Sequence, residues 1–338
     1  MIDLLVAGGG PAGLATALYG VRAGLDVVVL ERRVGPIDKA CGEGLMPHAV
    51  AQLDRLGVPV NGKPFHGISY LDGTRCVTAP FRSGAGRGVR RTALHAALLE
   101  AVTNAGVPVV HREVGEVSQD ANSVRCGDFH ARYLAAADGL HSPIRASLGL
   151  ALSPGGPRRW GIRRHIQIRP WSDNVEVYWS AGAEAYVTPV ADDCVGIAVL
   201  TSRRGGFEHH LDAFPGLKDR VRWHPYGPDR AAGPLRQKVK RRACGRVFLV
   251  GDAAGYVDAL TGEGLGIAFS AAELLVDCIV EDRPADYDHQ WRRMSRRYRV
   301  LTAAVLHASA IPAVRSRIVP AASRLPMVFS RLVNLLAE

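Results

Sequence analysis

Short apolar runs recur along the chain, and each stops at a glycine or an acidic residue. Ile2–Ala7 runs into Gly8, Val27–Leu30 into Glu31, Leu134–Ala137 into Asp138-Gly139, and Val247–Val250 into Gly251-Asp252. Runs of this kind predict strands buried on both faces, as in a parallel sheet covered by helices. Leu14–Ala23 and Ile267–Ile279 carry the longer apolar pattern of packed helices, and Val107–Val117 reads as a further strand. Residues 60–86 and 155–235 read differently. Trp160–Ile168, Asn174–Trp179, Ala185–Pro189 and Val195–Leu200 include alternating polar and apolar positions, the pattern of a sheet with one covered face. After Asp286 the chain becomes helical, and Arg315, Arg317, Arg324 and Arg331 interrupt an apolar run from Val300 to Leu336.

The first strand opens into Gly8-Gly9-Gly10-Pro11-Ala12-Gly13, with Glu31 closing the next strand. This is the spacing of a dinucleotide turn. Gly8 permits the tight bend, Gly10 leaves room for a pyrophosphate, and Gly13 lets the helix pack closely on the strand. The free N–H groups at the helix start, around Pro11 and Ala12, face the phosphates, and Glu31 is placed to accept from ribose hydroxyls. Arg32 and Arg33 either meet a 2′-phosphate, or flank the adenine end of FAD or face solvent; the latter reading is preferred. The turn alone does not separate FAD from NAD.

Two later segments separate them. Asp138-Gly139-Leu140-His141-Ser142-Pro143-Ile144-Arg145 is an Asp-Gly turn after a buried strand. Gly251-Asp252-Ala253-Ala254-Gly255 follows another strand, and Thr261-Gly262-Glu263-Gly264-Leu265-Gly266 opens a helix. Asp252 suits the ribityl hydroxyls of a flavin. The N–H groups of Gly264 and Leu265 suit its pyrimidine end, where the reduced ring is negative.

Together these segments resemble the class A flavoprotein monooxygenase and geranylgeranyl-reductase superfamily, with the p-hydroxybenzoate hydroxylase fold. The resemblance spans about residues 1–285. It implies an α/β fold: a Rossmann-like FAD-binding domain, built on a parallel sheet with helices on one face and a crossover strand layer. A strand-rich substrate domain is inserted, and a helical extension follows. The expected division is 1–60, 87–154 and 236–285 for FAD, 61–86 and 155–235 for substrate, and 286–338 for the extension. Lys39-Ala40-Cys41-Gly42-Glu43-Gly44-Leu45 is similar to a segment that lies beside the isoalloxazine in the reductase branch, which implies FAD contacts at Cys41 and Gly42. The resemblance also implies FAD contacts at Arg91 and at Val114, the latter on a strand against the adenine. NAD(P)H is the implied transient reductant, since a second glycine fingerprint is absent.

Composition narrows the alternatives. A net charge of +10 on 338 residues favours anionic partners. The arginines are scattered, no nucleic-acid-reading motif is present, and a basic surface is the simpler expectation. Six scattered cysteines without a C-x-x-C pair predict neither a metal site nor a redox dithiol, and they fit a reducing cytoplasm. No signal peptide or membrane-spanning helix is expected. The basic, apolar extension suits either a packed lid or peripheral contact with the inner membrane surface.

The substrate side is less legible. Trp179, Tyr186 and Pro189 are candidate pocket residues, with ordinary sheet core as the competing reading; His165 reads as structural. Cys41 and Glu43 are the candidate chemical groups nearest the ring. The preferred chemistry is hydroxylation of a lipophilic phenol, resorcinol or polyketide-quinone ring, on the form of the Lys39–Pro47 and Gly251–Gly266 segments. Reduction of an isoprenoid double bond is the alternative, and flavin binding without turnover is a third. The oligomeric state is left open.

Overall fold

The computed structural model describes residues 1–156 and 158–337. Its first layer is an eight-stranded sheet whose central strands run in the order Val247–Leu249, Phe129–Ala136, Ile2–Ala7, Val27–Leu30 and Val109–Val110. These neighbours pair in parallel. Their continuous apolar runs are explained by burial on both faces: Leu4, Leu5, Val6, Leu134, Phe248 and Leu249 are fully buried. Helix Pro11–Arg22 packs against helices Arg91–Asn104 and Gly264–Val280 to cover the sheet. Strands Val117–Gln119 and Val124–Cys126 hang antiparallel from Phe129–Ala136 as the crossover layer.

Two helices begin earlier than the apolar pattern indicates, at Pro11 and Gly264. Proline at a first helical position has its φ already set and lacks an N–H that would be unpaired there anyway. The strand expected over Val107–Val117 is broken. Only Val109–Val110 and Val117–Gln119 are extended in sheets, and Val114 lies between them outside any strand. The intervening His111-Arg112-Glu113 offers no apolar face to bury.

The second layer is a seven-stranded sheet in the order Arg230–Ala232, Trp160–Ile166, Cys194–Thr201, Ala183–Ala191, Val175–Trp179, Gly67–Leu71, Cys76–Pro80. Its two-residue alternation has a direct meaning. Ala185, Val187, Ile197 and Val199 pack under Phe207, Leu211, Phe214 and Leu217. Their neighbours Tyr186, Thr188, Ala198 and Leu200 face a cavity between the two large sheets. Pro189 falls on the helix-covered side of this alternation and is corrected as a pocket residue. Trp179 lies on the same face as Val175 and Val177, but there the C-terminal helices cover it; it too does not line the cavity.

Those C-terminal helices are packed onto the sheet. Val319, Phe329 and Val333 join Val77, Ala79 and Val177 in one apolar cluster. Asn334 accepts from the Arg82 N–H at 2.8 Å and donates to the Pro80 carbonyl at 3.0 Å, continuing the hydrogen bonding of the sheet edge. Arg315 donates to the Ala183 carbonyl at 2.7 Å and pairs with the buried Glu184 at 2.8 Å. Among the described residues, no helix is long and apolar enough to cross a membrane.

Removing one partner of a buried pair leaves an uncompensated charge, at a cost of about 3 kcal/mol or more. Arg315→Leu is therefore expected to lower the melting temperature by several degrees in thermal denaturation. An unchanged melting temperature would show that Arg159 alone satisfies Glu184.

Candidate functional site

The glycine turn sits at the carboxyl ends of the parallel strands, where open α/β sheets bind ligands. Gly8 has φ 109°, and a Cβ there would stand 2.4 Å from the Ala137 carbonyl oxygen. A Cβ on Gly13 would stand 1.9 Å from the Gly8 carbonyl oxygen, so Gly13 sets how closely the helix approaches while not itself reaching the cavity. In front of Gly10 the space is open. Glu31 accepts from the Gly9 N–H at 2.9 Å and from the Arg33 N–H and Nε at 3.0 and 2.9 Å. Burial pushes its carboxyl up, but the bonds from Arg33 and Gly9 outweigh that and hold it below the usual range. His95 donates through Nε2 to the Gly9 carbonyl at 2.8 Å, a brace that no motif in the sequence announces.

The other motifs converge on the same space. The Asp138 carboxylate accepts from the Ile144 N–H at 3.1 Å, and Ser142 caps the next short helix by accepting from the Arg145 N–H at 2.9 Å. Arg145 turns away from the cavity. It donates to the carbonyls of Ala253 and Leu140 and to Gln237, clamping the Asp138 turn to the Gly251–Ala254 turn. Asp252 faces the cavity; burial raises its carboxyl, opposed by the nearby Lys39, Arg91 and Arg145. Lys39 lines the void close to Gly139, and its ammonium is pushed down by burial and by Arg33 and Arg91.

The Lys39–Gly44 loop supplies the opposite wall. Burial pushes the Cys41 thiol up, and the Glu43 N–H approaches its Sγ at 3.4 Å. Glu43 adopts φ 60°, uncommon for a residue with a side chain, and is held there from two sides. Its Oε1 accepts from the Arg91 N–H at 2.8 Å and its Oε2 from His165 Nε2 at 2.6 Å. Arg163 and Arg90 face His165 Nδ1 at 3.0 and 3.5 Å. A guanidinium only donates, so Nδ1 accepts and Nε2 carries the proton given to Glu43. His165 thus braces the loop from behind, outside the cavity wall.

One cavity of about 1140 Å³ joins these parts. Glu31, Arg32 and Val114 line one end, with Arg32 paired to Glu113 at 3.0 Å. Gly10, Pro11, Ala12, Arg91, Asp138, Gly251 and Asp252 line the middle. Gly42, Gly264 and Leu265 follow, and Tyr186, Val177, Val333 and Leu336 line the second-sheet side. Asp138 Oδ1 and Arg91 Nε are buried without a hydrogen-bond partner. Two orphaned polar atoms in a cavity of this volume, beside a glycine cradle, fit a large polar ligand such as a dinucleotide.

Behind the second-sheet side is a charged network that sequence reading missed, because its members come from three distant segments. Arg159 pairs with Glu184 and lies 3.5 Å from Asp258, on the loop between the Gly251 turn and Leu260. Burial pushes the Asp258 carboxyl up to about 6, with Arg159 opposing. Its proton is therefore held more tightly in the folded chain than at the ordinary 3.8. The stabilisation is complete below the unfolded value and is lost as pH rises through the folded one. Relative to Asp258→Asn, the wild type should lose about 3 kcal/mol between roughly pH 4 and pH 7. Thermal melts of both proteins across that range check this, and a constant difference would contradict it.

Comparison with known proteins agrees with the geometry. The chain is 28% identical over 334 residues to a menaquinone reductase of Mycolicibacterium smegmatis, covering 86% of this chain and 79% of that protein. It is 26% identical over 296 residues to digeranylgeranylglycerophospholipid reductase 1 of Methanothermobacter thermautotrophicus, covering 78% and 73%. A solved flavoprotein/dehydrogenase from Cytophaga hutchinsonii shares the fold at a TM-score of 0.81 and 17% identity, covering 98% of this chain and 96% of that one. The family model described as FAD binding domain matches residues 1–225, more than half of the chain. With that match, a glycine cradle at Gly8–Gly13 and a cavity of about 1140 Å³ in front of it, the chain belongs to the FAD binding domain family and is an FAD-dependent oxidoreductase.

Proposed function

We propose that the chain reduces a carbon–carbon double bond in an isoprenoid or quinone lipid, with NAD(P)H as transient reductant. The observation that carries this reading is the placement of Cys41 in the wall of a cavity whose second-sheet side is apolar. The Cys41 thiol is raised by burial; Tyr70 is pushed up to about 12 and Tyr186 and Tyr256 well above their ordinary value by the same cause. All four line the cavity, with the Tyr186 hydroxyl donating to the Leu260 carbonyl at 2.8 Å. Glu43, the carboxylate beside Cys41, has both oxygens engaged and is poorly placed to deprotonate a phenol. The apolar wall of Ile68, Val175, Val177, Val333 and Leu336 suits a lipid chain. The names of the two reductases described above support the same class.

Bound FAD supplies the two-electron redox step. In the binding we assign, the helix N-terminus at Gly10–Ala12 takes the pyrophosphate, Glu31 the adenosine ribose, and Arg32 and Val114 the adenine side. Asp138, Arg91 and Gly251 border the middle, and Asp252 accepts from the ribityl chain. Gly42, Gly264 and Leu265 present backbone to the ring. The segments 1–60, 87–154 and 236–285 form the FAD part, and 61–86 and 155–235 roof it. Cys41 delivers a proton to one carbon of the reacting bond. The resulting thiolate is stabilised by the Arg91 and Arg163 charges, which already oppose the upward shift of its thiol. Hydroxylation of a lipophilic phenol is the second reading. It rests on the form of the Lys39–Pro47 and Gly251–Gly266 segments.

Glu31→Lys should weaken FAD binding by about 1.5–3 kcal/mol, because a charged acceptor is replaced by a cation beside Arg33. Fluorescence titration of the apoprotein reads this; unchanged affinity would remove Glu31 from the ribose site. To separate the two reactions, isoprenoid quinones and alkylphenols are turned over with NAD(P)H under labelled dioxygen and again anaerobically. A product heavier by two hydrogens, formed equally without oxygen, is expected. Label in the product would establish hydroxylation instead.

A further inference from the structure

A second cavity, of about 500 Å³, adjoins the first at Gly251, Asp252, Tyr256, Gly264 and Ala268. Five cations line it: Arg236, Lys238 and Arg242 ahead of the Gly251 turn, and Arg296 and Arg299 from helix Arg296–Ala310. Among the described residues, Asp252 is the one carboxylate in its wall. Arg242 pairs with Asp288 at 3.4 Å, outside the wall. Arg236, Lys238, Arg296 and Arg299 have no carboxylate partner among the described residues.

Two further features make this a built site. The Trp291 ring carries two guanidinium neighbours, with Arg242 Cζ 4.0 Å and Arg299 Cζ 5.8 Å from its centroid. The Trp291 Nε1–H and the Ser295 hydroxyl are buried, belong to residues of the cavity wall, and have no hydrogen-bond partner. These residues are only 4% and 1% exposed, so water does not readily satisfy them. Burial pushes Arg242 down to about 10, and neighbouring Arg299 and Arg292 push in the same direction. Like charges gathered in a partly enclosed space repel, and an anion relieves that repulsion. The FAD phosphates do not supply it, since the glycine cradle and helix start that receive them lie on the first cavity.

We propose that this second cavity binds a phosphate-bearing anion, with its oxygens received by Arg296, Arg299 and the Ser295 hydroxyl. The anion is either the diphosphate of a dinucleotide reductant or the phosphate head of a lipid. Both share the same recognition chemistry: guanidinium forks and neutral donors around a multiply charged oxyanion. The site stands apart from the choice between reduction and hydroxylation.

The test is calorimetric titration of the FAD-loaded protein with inorganic pyrophosphate, ADP-ribose and dihexanoyl phosphatidic acid. At least one probe should bind. The Arg296→Gln/Arg299→Gln variant should bind it about tenfold more weakly or worse, with FAD content and visible spectrum unchanged. Tighter binding of ADP-ribose than of the other two assigns the site to the dinucleotide; tighter binding of phosphatidic acid assigns it to a lipid head. Absence of binding by all three, or equal binding by wild type and variant, overturns the proposal. Arg296 is exposed, so the single Arg296→Gln variant carries the same comparison should the double variant not fold. The readout is binding, so its failure would leave the reductase reading standing, and failed turnover would leave this site standing.

Discussion

The buried guanidinium of Arg145 joins turns that lie 107 residues or more apart in the chain. Burying such a group is costly, and the cost is offset only when its donors are received. Here carbonyls of Leu140 and Ala253 and the side chain of Gln237 receive the two terminal NH2 groups, while Nε is buried without a partner. Desolvation still depresses the arginine, with Asp138 and Asp252 opposing. This clamp fixes the spacing between the Asp138 and Gly251 turns. Since Ala136 and Leu249 are paired in register on adjacent strands, the two turns leave the sheet side by side and face the glycine turn. The cofactor cavity is the gap those constraints leave.

A second constraint acts across the cavity. Glu184, on the second sheet, is fully buried and held by Arg159 and Arg315. Asp258 follows the Gly251 turn and joins the same network. One charged cluster therefore connects the second sheet, the cofactor loop and the C-terminal helices. The helices are consequently part of the cavity wall, where Val333 and Leu336 appear. This position favours the packed-lid reading of the extension, with its inner face already occupied.

Electrostatics differs between the two ends of the cavity. Its cradle end gathers arginines and open backbone N–H groups, which suit phosphates. Its second-sheet end buries Cys41, Tyr70 and Tyr186 beside an apolar wall, and burial raises each of them. Glu43 marks the boundary. Its charge is spent on holding a strained loop against Arg91 and His165, which positions Cys41 at the wall.

The sequence by itself determined the parts governed by local rules. Glycines at Gly8, Gly10 and Gly13 after a buried strand specify a phosphate turn: a side chain at Gly8 or Gly13 would meet backbone, and Gly10 leaves the space in front of it open. Apolar runs on both-face-buried strands and period-two alternation in the second sheet were equally legible, as burial imposes them residue by residue. Tertiary structure decided what local rules leave open. Pro189 faces away from the cavity by the register of its strand, and Trp179 is covered by helices that begin more than a hundred residues later. Val114 reaches the cavity without a strand. The Arg159–Glu184–Asp258–Arg315 network and the cationic second cavity each gather residues from separate segments, each ordinary in its own stretch of sequence. Charge and hydrogen bonding act through space, so their partners become visible only when the chain has folded.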